Sequence, residues 1–77
     1  MISRRVDVAL IETTRLEKGL SRIDLCAKAR IDPAALRNLL RFEGTRSRDG
    51  VIVGVVQALD LRIKDVVTVT HRPEEAA

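Results

Sequence analysis

Between Ser21 and Arg41 the chain carries two helix starts and one break, and this narrows what it can fold into more than any other stretch. Ser21 is a favoured N-cap, and Asp24 three residues later takes the place of the usual Glu or Gln of a capping box. A short helix is predicted from Arg22 to Ala29, with Leu25, Cys26 and Ala29 on one face. Arg30-Ile31-Asp32 then interrupts it. A left-handed residue is commonly needed at such a break, and a side chain with a Cβ pays about 1–2 kcal/mol to adopt it. Either the turn at Arg30 differs slightly or packing holds it there, with Ile31 as its buried residue. Asp32 caps the next helix and Pro33 fits its first position, where no amide is needed.

That second helix, Pro33 to Arg41, separates into two faces. Ala35, Leu36, Leu39 and Leu40 follow the i, i+3, i+4 spacing of a buried side. Ala34, Arg37, Asn38 and Arg41 form the opposite stripe. Two short helices about a turn apart, one dressed with arginine, have the layout of a helix-turn-helix. Arg can pair with guanine, and Asn with adenine, through bidentate bonds in the major groove. Pro33 and Ala34 are small and apolar and could sit against a thymine methyl. Arg22, beside the free amides of the first helix, is placed for a phosphate oxygen.

The flanking sequence supplies packing. A first helix is predicted from Ser3 to Lys18, with Val6, Leu10 and then Ile11 or Thr14 at helical spacing, and Gly19 is its C-terminal stop. Phe42 to Asp49 is a loop in which Thr45, Arg46, Ser47 and Arg48 are natural clamps on a phosphate backbone. From Gly50 to Leu59 the valines favour a strand, but Ile52, Val55, Val56 and Leu59 keep helical spacing. The segment is therefore predicted as a helix with Asp49 as its cap. One or two helical turns follow at Ile63 to Val67. Val66 to Thr70 is either an exposed strand, whose open edge could pair with the same strand of another subunit, or an extended tail. Residues 71–77, with His71 and Pro73, are expected to be a disordered tail after a domain spanning residues 1–70.

Composition narrows the function. With 77 residues there is one domain, and burial of only about 60% of its unfolded surface leaves a lone subunit marginal, which favours a homodimer. Phe42 is the only aromatic, so the core must come from Leu, Ile, Val and Ala, as suits a compact all-α bundle of about five short helices. The net charge is +3, but from Arg22 to Arg48 seven basic residues face three acids while the remainder carries seven against eight. Such clustering suits a polyanion, namely double-stranded DNA. A single cysteine excludes an internal disulfide and makes a protein metal cage implausible, and Cys26 is expected to fill the core. His71 is expected to be solvated. No nucleophile–base pair, metal cluster or Gly-rich phosphate loop points to an enzyme, so neither cofactor nor small-molecule substrate is expected. No apolar run approaches the roughly 20 residues of a membrane span. The expected location is the cytoplasm.

Arg15-Leu16-Glu17-Lys18-Gly19-Leu20-Ser21-Arg22-Ile23-Asp24-Leu25-Cys26-Ala27-Lys28-Ala29 resembles the R-x-x-K-G-L-S-Q-x-x-L-A-x-x-A stretch of the Cro and phage-repressor type (XRE-like) helix-turn-helix family. Ala58-Leu59-Asp60-Leu61 and Lys64-Asp65-Val66 resemble that family's closing A-L-G-V-S-L-D-E-L. The likeness runs from about Val6 to Val67. It implies a lambda-repressor-like bundle that binds operator DNA, usually as a dimer, and regulates transcription. It also implies that Arg22 holds phosphate, that Pro33, Ala34, Arg37 and Asn38 face bases, and that Arg41 lies near the backbone. Arg22 stands for the family's common glutamine, Arg30 for its turn glycine, and Leu40 and Phe42 for the Glu and Gly that often end its reading helix. The competing expectation is a protein-interaction module, such as an antitoxin-like partner binder, on the same scaffold without base readout.

Overall fold

The computed structural model describes residues 2–71, so most of the tail expected at 71–77 lies outside the described residues. The order is β1 (Ile2–Val6), α1 (Val8–Glu17), α2 (Arg22–Ala29), α3 (Pro33–Arg41), α4 (Asp49–Ala58), α5 (Ile63–Val66) and β2 (Val67–His71). Five helices make the predominantly helical body, and β1 and β2 add one antiparallel pair.

The first helix differs from expectation at its start. It begins at Val8 rather than Ser3, with Asp7 as N-cap accepting the Leu10 amide at 3.0 Å. Ile2–Val6 instead pairs with Val67–His71, in a register that sets Val6 opposite Val67 and Arg4 opposite Val69. Val6 keeps helical spacing to Leu10, but that spacing did not decide the segment. A distant segment did, by offering a ladder of backbone partners. Val66–Thr70 is thereby resolved as mostly strand, with β1 of the same chain paired along one of its two edges. His71, expected in the tail, is the last residue of β2, and its side chain lies outside the described part.

The helical body follows the capping signals. Gly19 ends α1 with φ +68°. Ser21 and Asp24 complete a reciprocal capping box, the Asp24 amide donating to Ser21 Oγ at 3.0 Å and the Ser21 amide to Asp24 Oδ2 at 3.1 Å. Asp32 Oδ1 accepts the Ala35 amide at 2.7 Å, and Pro33 opens α3. The ambiguous valine-rich segment is helix α4, because its residues at helical spacing, Ile52, Val55, Val56 and Leu59, are all buried. Its cap is Arg48 and not Asp49, which is the first helical residue and is paired with Arg4.

The core is aliphatic. Val6, Ile11, Leu25, Cys26, Leu36, Leu39, Ile52, Val55, Val56, Leu59 and Val66 are all buried and form one cluster. Each of its leucines and isoleucines contributes about 1.5–3 kcal/mol by leaving water. Leu10, Leu20, Ala29, Ile31 and Leu40 pack against its margin, only partly buried. Burial pushes the Cys26 thiol up from its ordinary value, with nearby Asp32 adding to the shift, so it stays an uncharged core residue. Gly54 lies where α4 meets α2: a Cβ there would stand 2.9 Å from the Ala29 carbonyl oxygen.

Candidate nucleic-acid interface

α3 is the element on which the candidate site is built. Leu36 and Leu39 fix its inner face, while Pro33, Ala34, Arg37 and Arg41 are exposed. The helix forms a ridge between two depressions. On the α2 side, Arg22, Ile23, Pro33, Arg37 and Leu40 line a groove of about 130 Å³. On the other side, Arg30, Asp32, Ala35, Asn38, Arg46, Ser47 and Arg48 line a cleft of about 450 Å³ between the α2–α3 turn and the α3–α4 loop. Guanidinium groups thus stand on both flanks of an exposed helix.

Asn38 departs from its expected stripe. It is only half-exposed, and its Nδ2 donates to the Arg46 carbonyl at 3.2 Å. One amide hydrogen therefore tethers the loop, while Oδ1 and the second hydrogen remain for other partners. Of the four expected base-facing residues, Pro33, Ala34 and Arg37 are the exposed ones.

The α3–α4 loop also sorts its residues. Arg46 and Arg48 are exposed, as expected of clamps. Ser47 is a correction: it is 9% exposed, and its Oγ is buried without a hydrogen-bond partner, so its hydroxyl is not offered at the surface. Thr45 is exposed, but its Oγ1 donates to the Phe42 carbonyl at 2.7 Å and closes the loop on itself. Arg4, from β1, donates to the Ser47 carbonyl and pairs with Asp49. The Val6 amide donates to the Glu43 carbonyl at 2.8 Å. The first strand therefore pins the loop from behind, a role that sequence reasoning missed because it placed Arg4 in a helix.

Arg22 is 62% exposed at the first turn of α2, where a phosphate contact is expected, and its guanidinium lies 3.6 Å from Glu12 Oε2. The Arg15 guanidinium, hydrogen-bonded to Glu12 at 2.8 Å, holds that carboxyl below its ordinary range; partial burial opposes this, and the charges of Arg15 and Arg22 reinforce it. Arg15 also donates to the Leu20 carbonyl at 2.7 Å. This network ties the end of α1 to the start of α2.

Arg30 was also missed as a site residue. Its backbone is left-handed, φ 58° and ψ 45°, and its side chain lines the cleft with Arg46 and Arg48. The sequence held a signal for it: an arginine where a glycine would be free of strain. Among the described residues no group of three or more His, Cys, Asp or Glu could hold a metal ion, and no helix is long and apolar enough to cross a membrane. Compared with known proteins, the chain matches no family model, no curated protein and no solved structure.

Proposed function

We propose that this chain is a sequence-specific DNA-binding transcriptional regulator, acting as a homodimer on a palindromic operator. The observation that carries the reading is the exposed ridge of α3, with Ala34, Arg37 and Arg41 outward and arginine-lined depressions on either side. The major groove, about 12 Å wide, admits an α-helix, and the flanking charges would meet phosphates across it. Arg37 has the reach and donor fork for a guanine edge. Pro33 and Ala34 provide apolar contact for a thymine methyl, and Asn38 keeps enough of its amide for an adenine beside its loop bond. Arg22, Arg30, Arg41, Arg46 and Arg48 would hold the backbone. The resemblance to the XRE-like family supports the same reading; a phage- or plasmid-type repressor, a small antitoxin or a restriction-modification controller would share this core.

Selection of bound sequences from random duplex DNA at physiological salt tests it. The expected result is a palindrome with half-sites about one helical turn apart, roughly 34 Å. Arg37→Ala should then relax preference at one base position by about 1–3 kcal/mol, whereas Arg48→Ala should weaken all sequences and reduce the salt slope by about one. Failure to enrich any sequence, with no salt-dependent binding, would reject it. A second reading has one observation in its favour: Ile23, 72% exposed beside the α2–α3 groove, suits a protein partner better than a phosphate backbone. That reading predicts no duplex binding and tolerance of Arg41→Ala.

A further inference from the structure

The chain's only aromatic residue is not in its core. Phe42 is half-buried at the C-terminal cap of α3, and two guanidinium groups lie over its ring: Arg46 at 4.3 Å and Arg41 at 5.3 Å from the centroid. We infer that Phe42 is a positioning residue that gathers Arg41 and Arg46 into one paired seat for the phosphodiester backbone of a single DNA strand. The inference rests on the DNA-binding reading above and assigns that site a residue which the reading leaves without a role.

Arg41 and Arg46 come from different elements, one at the end of a helix and one in a loop. Two like charges held near each other repel, and nothing in the aliphatic core would draw them together. The negative face of an aromatic ring does so, attracting each cation without neutralising it. The two guanidinium carbons can be no farther apart than the sum of their distances to the centroid, a span that neighbouring phosphates of one strand can bridge. Guanidinium groups stacked on a ring keep their N–H edges free, and those edges are what a phosphate oxygen accepts from. The loop is also fixed from outside the pair, by Asn38 on the Arg46 carbonyl and by Thr45 on the Phe42 carbonyl. The ring therefore determines where the two charges sit rather than whether the loop folds.

The test uses the full chain and a duplex of random sequence. Phe42→Leu should weaken binding about two- to tenfold at fixed salt, because two unrestrained side chains must then be ordered on binding. Phe42→Tyr should restore it. In an Arg41→Ala, Arg46→Ala background, Phe42→Leu should have no further effect. Nuclear magnetic resonance of the unaltered chain gives a readout that does not depend on a variant folding: the δ-methylene protons of Arg41 and Arg46 should be shifted upfield by the ring. Absence of those shifts overturns the inference. So does a Phe42→Leu loss that persists undiminished in the double-arginine background, or wild-type binding unaffected by Phe42→Leu. An unaltered chain that binds no duplex at all rejects the DNA-binding reading and this inference with it.

Discussion

Arg30 illustrates how a single residue can trade stability for placement. Its left-handed backbone is the conformation that the α2–α3 turn requires, and glycine would adopt it with less strain. Arg30→Gly should therefore stabilise the chain by about 1 kcal/mol, raising the urea midpoint without changing the slope. The same substitution removes a cation from the cleft shared with Arg46 and Arg48, so duplex affinity should fall as stability rises. An unchanged midpoint would place the strain elsewhere. Glu12 offers a second test at this scale. Its folded pKa lies below the ordinary 4.5, so the stability it contributes is present above that value and is lost as pH falls through the lower folded value. Glu12→Gln should cost about 1 kcal/mol at pH 7, at the modest end because the pair is partly solvated. Urea denaturation of both proteins at several pH values should show the gap narrowing below pH 4.5.

Among the elements, α4 is where propensity and packing disagree most openly. Two glycines and a run of valines argue against a helix, yet burial of Ile52, Val55 and Val56 on one side outweighs them. Its two glycines should behave in opposite ways. Gly50 has open space around it, so Gly50→Ala should stabilise the helix by up to about 1 kcal/mol. A Cβ on Gly54 would press on the Ala29 carbonyl oxygen of α2, so Gly54→Ala should destabilise by about 1–3 kcal/mol despite the better propensity. Thermal melts of the two variants decide it; a raised midpoint for Gly54→Ala as well would mean that α2 and α4 can separate without penalty. The helix was legible from the spacing of its apolar residues. The need for glycine at 54 was not, because it depends on a carbonyl contributed by another helix.

At the scale of the whole molecule, the two ends of the described chain meet in a sheet whose first strand supports the candidate interface. Arg4 reaches from β1 to the Ser47 carbonyl and to Asp49, behind the loop that presents Arg46 and Arg48. Arg4→Ala should reduce amide protection in that loop by hydrogen exchange, and should lower duplex affinity without altering base preference. Arg5→Ala, which removes an equal charge from an exposed position on the same strand, is the control and should leave loop protection unchanged. Equal effects from both would reduce the role of Arg4 to net charge.

The sequence alone determined the helical body and the arrangement of α2, turn and α3, because caps, breaks and apolar spacing are local signals that act within a few residues. It also determined which face of α3 is apolar, and so that Arg37 and Arg41 stand outward. Tertiary structure decided the rest. It made a strand of Ile2–Val6, buried Ser47, turned part of the Asn38 amide to the loop, and brought Arg30 beside Arg46 and Arg48. Each of those outcomes depends on a partner beyond the reach of capping and helical spacing, and no local pattern specifies a partner that only folding brings near.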